Sequence, residues 1–123
     1  MRSILAIGLA STLSITASAQ APPPVQTVAL YSYGYAPAAI RLRAGQPVTL
    51  NFVNRSGHAH DFTAAAFFAR SRILSGRIPR GEVELRGGQS MSVTLVPARG
   101  TYPVHCGHFL HQQFGMRGTI VVS

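Results

Sequence analysis

From position 25 onward, apolar and polar residues alternate in short runs broken by Gly, Pro and Asn. That two-residue period predicts strands, where successive side chains face opposite sides, rather than helices. "VQTVALYSYGY" opens the pattern as a first strand that ends near Tyr35, Ala36 and Pro37. "AIRLRAG" turns Ile40 and Leu42 inward and Arg41 and Arg43 outward, and "PVTLNFVN" does the same with Val48, Leu50 and Phe52. The turn "NRSGHAH" leads to "HDFTA". "EVELRGG" and "QSMSVTLVPARG" are two more strands separated by Gly turns, with Val93 and Leu95 on one face, and "TYPVHC" and "MRGTIVV" complete the set. Only "AAAFFARSRIL" has helical composition, over about 64–71, and "SGRIPRG" after it reads as loop. About eight short strands with one short helical insert imply an all-β Greek-key β-sandwich. On strand number and turn spacing an immunoglobulin-like domain fits equally well, so the chemistry has to discriminate.

The first twenty residues break this pattern. Arg2 precedes an apolar stretch from Ile4 to about Leu13, and Ala17, Ser18 and Ala19 form a small-x-small cleavage signal. The stretch is interrupted by Ser11, Thr12, Ser14 and Thr16 and is short for the ~20 apolar residues of a membrane span. The expectation is a secretory signal peptide over 1–19, cleaved after Ala19, and a single domain over 20–123 whose first residues, 20–26, are a stiff Pro-rich leader. About 100 residues support one modest core. The expected destination is the periplasm.

Composition changes the picture in two ways. Every basic residue is an arginine, eleven against three acidic residues, which gives a net charge of +8. Without Arg2 the count is about +7, a field that favours anionic partners. The arginines are scattered rather than gathered in a run, and export makes nucleic acid an unsuitable partner. The single cysteine, Cys106, excludes an intrachain disulfide and leaves a free thiol, an intermolecular bridge or a metal thiolate.

Cys106 lies in "HCGHFLHQQFGM", which also holds His105, His108, His111 and Met116. A cysteine hydrolase would need a thiolate beside an imidazole base, but no recognisable oxyanion turn or orienting residue accompanies it. Structural zinc would want a closed set of Cys and His ligands, and the usual Cys-x2-Cys pairs are missing. Copper fits best. One thiolate, two imidazoles and a weak axial thioether form the blue-copper electron-transfer site. Cys106, His111 and Met116 follow one another at steps of five, so one strand end and one loop can wrap a single ion. A further imidazole must come from elsewhere, and "NRSGHAHDF" offers His58 and His60.

The stretch "GTYPVHCGHFLHQQFGMRGTIVV" resembles the C-terminal half of cupredoxins, the small blue copper proteins of the plastocyanin, pseudoazurin and azurin type. "AIRLRAGQPVTLNFVNRSGHAHDF" is similar to their N-terminal half. The resemblance spans nearly all of 20–123 and implies one copper ion, cycling between Cu(I) and Cu(II), held by His60, Cys106, His111 and Met116. His60 is preferred to His58 because it directly precedes Asp61 and Phe62. His108 is the alternative to His111, set back by having only one residue between it and the cysteine. His105, next to Cys106 on a strand, should point away from the metal.

Asp61 departs from the pattern, since many members carry Asn there to tie the ligand loops together. An aspartate can still accept from backbone N–H groups of the cysteine loop, and its charge would favour Cu(II). The other expectation for Asp61 is a solvated loop carboxylate paired with an arginine. Phe109 and Phe114 could rim the His111 edge as a partner-facing surface, or simply pack over the loop. The resemblance thus implies a single-electron carrier with no substrate chemistry of its own. Its partner would be a redox protein such as a cytochrome or a copper-containing reductase with an acidic docking surface. The alternative is a copper carrier or chaperone that hands over the ion.

Overall fold

The computed structural model describes residues 7–17, 20–108 and 116–123, and 7–17 lie exposed outside any helix or strand. Among the described residues, ten strands build two five-stranded sheets. In chain order these are β1 (Val25–Tyr31), β2 (Gly34–Ala36), β3 (Ala39–Leu42), β4 (Val48–Asn54), β5 (His60–Thr63), β6 (Arg72–Ser75), β7 (Glu82–Leu85), β8 (Ser90–Val96), β9 (Gly100–His105) and β10 (Arg117–Val122). One sheet runs β2-β1-β4-β8-β6 and the other β3-β10-β9-β5-β7. β1 lies parallel to β4 and β3 parallel to β10, while the remaining neighbours are antiparallel. The all-β sandwich is as expected, with two strands more than the pattern suggested.

The two additions have local causes. "VQTVALYSYGY" is a tight hairpin rather than one strand, because Tyr33 takes a left-handed φ of 64° and reverses the chain between β1 and β2. "RILS" looked like the tail of the helical segment, yet Arg72–Ser75 is an edge strand on β8. All four of its residues are exposed, so no period of two marks it. The helix itself, α1 (Ala65–Arg70), is six residues long and has no side-chain cap at its start. A helix this short does not persist alone. It holds because Phe67 and Phe68 are buried and Phe67 meets Tyr102 at 5.5 Å between ring centroids.

Alternation does the rest. Val28, Leu30, Leu50, Phe52, Val93 and Leu95 face inward from the first sheet, against Ile40, Phe62, Val83, Leu85, Val104 and Ile120 from the second. Phe62 is the aromatic centre, with Phe52 at 4.8 Å, Tyr35 at 5.4 Å and Phe68 at 6.2 Å. Gly81, at a φ of +69°, must be glycine, since a Cβ there would lie 2.5 Å from the Cα of Ala65. It lets the segment ahead of β7 close against α1.

Candidate metal centre

The cysteine sits where β9 ends. Burial alternates along β9, with Tyr102, Val104 and then Cys106 inward, so His105 faces the opposite side. Met116 immediately precedes β10, and the Cys106 N–H donates to the Met116 carbonyl at 3.2 Å. That bond brings the two residues together, and both side chains are fully buried. His60 opens β5, opposite Leu85 of β7, and is 2% exposed. Its neighbour supplies the link to the cysteine, since the Asp61 N–H points at Cys106 Sγ at 3.5 Å.

Asp61 itself is buried rather than solvated. The Gly107 N–H donates to both its carboxylate oxygens at 2.9 Å, and the Thr63 hydroxyl donates to Oδ1 at 2.7 Å. A Cβ on Gly107 would lie 3.3 Å from Oδ2, so glycine allows this close approach. Among the described residues no arginine pairs with any carboxylate, so the arginine-paired form of Asp61 does not hold. In the structure the Asp61 carboxylate joins β5 to Gly107, the residue after Cys106. His58 is exposed on the turn before β5. His108 lies outside the sheet, with Nε2 2.9 Å from Glu84 Oε1 and 3.7 Å from Asp61 Oδ2. His111, Phe109 and Phe114 lie outside the described residues.

Burial pushes the Cys106 thiol above its ordinary value of 9.0, and the backbone N–H groups of Asp61 and His108 pull it back. Those two donors favour the thiolate, the form a metal needs. Tyr35 donates its hydroxyl to the Asp61 carbonyl at 2.7 Å, and burial, reinforced by Cys106 and Asp61, keeps that phenol protonated far above its ordinary range.

Sequence reasoning overlooked Tyr35 and also Asn54. Asn54 is fully buried at the end of β4, where its Nδ2 donates to the carbonyls of His58 at 2.8 Å and Leu85 at 3.0 Å. Its Oδ1 accepts from the N–H and hydroxyl of Ser56. One side chain thereby fixes the turn that delivers His60. The Asn-x-Ser-Gly turn hinted at such an Asx bond, but the long-range bond to Leu85 had no local signal.

The donor set suits a soft-to-borderline ion. The donor atoms that converge on Cys106 within 4.8 Å are those of Asp61 and His108, while His60 and Met116 are buried. Thiol, thioether and imidazole are donor types that suit copper better than magnesium or calcium, which take oxygen.

A family model for the cupredoxin-like domain matches residues 3–122. The chain belongs to the cupredoxin-like family. No curated protein matches the chain as a sequence relative. Among solved structures, auracyanin B is 23% identical, with a TM-score of 0.61 over 86% of this chain and 93% of its own. Auracyanin A, a "blue" copper protein from Chloroflexus aurantiacus, is 21% identical, with a TM-score of 0.56 over 80% of this chain and 99% of its own. A multicopper oxidase from Campylobacter jejuni is 13% identical, with a TM-score of 0.64 over 94% of this cupredoxin-like chain and 33% of the oxidase. At these identities the likeness is one of fold.

Proposed function

We propose that this cupredoxin-like protein is an exported type 1 copper protein that passes single electrons between redox partners. Its ligands are His60, Cys106, His111 and Met116, and the working protein is a single domain, 20–123, freed of its signal peptide in the periplasm. The observation that carries the reading is the Asp61 N–H directed at the sulfur of Cys106. It donates to a buried sulfur and partly offsets the burial that disfavours the thiolate, on a residue joined to Met116 through the backbone.

A bound copper supplies a reversible Cu(I)/Cu(II) couple. The chain's own part is to keep the donors still. Cys106 and Met116 are fastened to each other through the backbone, and Cys106 accepts from the strand that begins with His60. Asp61 clamps Gly107, and Asn54 clamps the turn before His60. Donors anchored in this way move little between oxidation states, which keeps the reorganisation on electron transfer small. Phe109 and Phe114 are assigned to the rim where a partner meets His111. That partner is a cytochrome or a copper-containing reductase whose acidic surface answers the excess of arginine.

Loading 20–123 with Cu(II) tests this. An intense visible thiolate charge-transfer band with a narrow paramagnetic-resonance splitting is expected, and it should vanish in Cys106→Ser. A colourless protein that binds only Cu(I) would overturn the electron-carrier reading in favour of a copper carrier.

A further inference from the structure

The chain has three acidic residues and a net charge of +8, yet all three carboxylates meet at one place. Strand register brings them there. Asp61 stands opposite Glu84, and Thr63 opposite Glu82, so Asp61, Glu82 and Glu84 share the outer face of the β5–β7 pair. Their oxygens lie within 4.8 Å of one another. Like charges directly opposite on a sheet are unfavourable, and among the described residues no arginine forms an ion pair with them, Arg80 offsetting Glu82 only from a longer range. Instead Glu82 shares a hydrogen bond with Glu84. This arrangement does not serve the stability of the sheet.

A second cluster, of different chemistry, overlaps the first. The donor atoms of Asp61, Cys106 and His108 also converge within 4.8 Å, and Asp61 belongs to both groups. Exposure falls in steps along the series. Glu84 is 51% exposed, His108 32% and Asp61 4%, while Cys106 is fully buried. Asp61, Glu82, Glu84, Gly107 and His108 line a cleft of about 220 Å³ at the outer end of this series.

Resting on the copper reading above, we propose that Glu82, Glu84, Asp61 and His108 form the entry port that takes Cu(II) from solvent and passes it to Cys106. The electrostatics single out this spot. An arriving cation is repelled by an arginine-rich surface, and here three carboxylates create a local negative well. Carboxylate and imidazole are suitable first donors for Cu(II), and the thiolate is a stronger final one. Cys106 gives up its thiol proton to solvent as the Cu–S bond forms. The cleft suits a small ion rather than a basic protein side chain, because Asp61, the acid common to both clusters, is enclosed by Gly107, Thr63 and His108.

Stopped-flow mixing of the metal-free chain with Cu(II), followed by growth of the thiolate band, tests the port. The Glu82→Gln/Glu84→Gln variant should take up Cu(II) about tenfold more slowly at low ionic strength, and the difference should shrink in high salt. His108→Gln should also be slower. In both variants the final spectrum should equal that of the parent. Thr101→Arg/Ser123→Arg, which adds two positive charges at the far end of the β9–β10 pair and so matches the charge change of the double variant, controls for net charge and should load at close to the parental rate. Equal uptake rates in parent and variants overturn the port and leave the copper reading intact. A control as slow as the variants assigns the effect to net charge and also overturns the port. A chain that forms no thiolate band with Cu(II) overturns both readings together.

Discussion

The two faces of the β5–β9–β7 segment carry opposite chemistry on the same strands. Inside are His60, Phe62, Val83, Leu85, Val104 and Cys106, all buried. Outside are Thr63, Glu82, Glu84 and His105, together with Asp61, which is buried and held by the Gly107 N–H. The inner face places soft donors in a dry, rigid setting. The outer face gathers the entire negative charge of the chain. Asp61 is the hinge between them, since its N–H reaches the sulfur inside while its carboxylate holds Gly107 outside. The lesson is that strand alternation can set a buried imidazole or thiol and a cluster of carboxylates one residue apart.

The inner face should be the costlier to damage. Phe62→Ala removes the ring that Phe52, Tyr35 and Phe68 pack around and should destabilise the protein by about 3–5 kcal/mol in denaturant titration. A loss below about 1 kcal/mol would mean that the aromatic centre is not what seats the site. Next comes the clamp. Asn54→Ala leaves the Leu85 carbonyl without its buried donor and should lower stability by about 1–3 kcal/mol. It should also broaden the copper spectrum by freeing the turn ahead of His60.

Asp61→Asn tests the hinge without removing the acceptor for the Gly107 N–H. The reduction potential should rise, because a negative charge that favours Cu(II) has gone, while stability changes little. Voltammetry showing no shift, or a downward one, would separate Asp61 from the electrostatics of the metal.

Alkaline pH probes the same region in the metal-free protein. Burial holds the Cys106 thiol above its ordinary value of 9.0, so the folded chain keeps that proton more firmly than the unfolded chain. The stability this contributes is complete below pH 9.0 and is lost as the pH rises through the folded value. Thermal melts should therefore fall above pH 9.0, less steeply in Cys106→Ala, where only the Tyr35 contribution remains.

The smallest effect is on the outer face. The hydrogen bond with Glu84 pushes the Glu82 carboxyl up, with burial and the Asp61 charge adding to it. Folding therefore opposes its ionisation, and the penalty grows as pH rises through the shifted value. Glu82→Gln should be slightly stabilising at neutral pH, by less than about 1 kcal/mol. A clear destabilisation would show that the carboxylates are held there for structure.

Much of this protein could be read along the chain. A period of two fixed the inward set of Ile40, Leu42, Leu50, Phe52, Val93 and Leu95, because the pleat forces alternate side chains to opposite sides. It also turned His105 away from Cys106. The spacing of Cys106, His111 and Met116 leads to the expectation of a metal site on one strand end and one loop. β6 stayed hidden, because a fully exposed edge strand has no buried side to produce a pattern. The reach of Asn54 to Leu85, and of Tyr35 to Asp61, spans 31 and 26 positions and leaves no local trace.

The clustering of charge was likewise invisible. Asp61 stands more than twenty positions before Glu82 and Glu84, and only the antiparallel register of β5 with β7 sets them side by side. Residue type and short-range spacing therefore determine which donors a chain offers. Pairing register decides which charges those donors meet, because hydrogen-bonded strands bring distant segments within a few ångströms of one another.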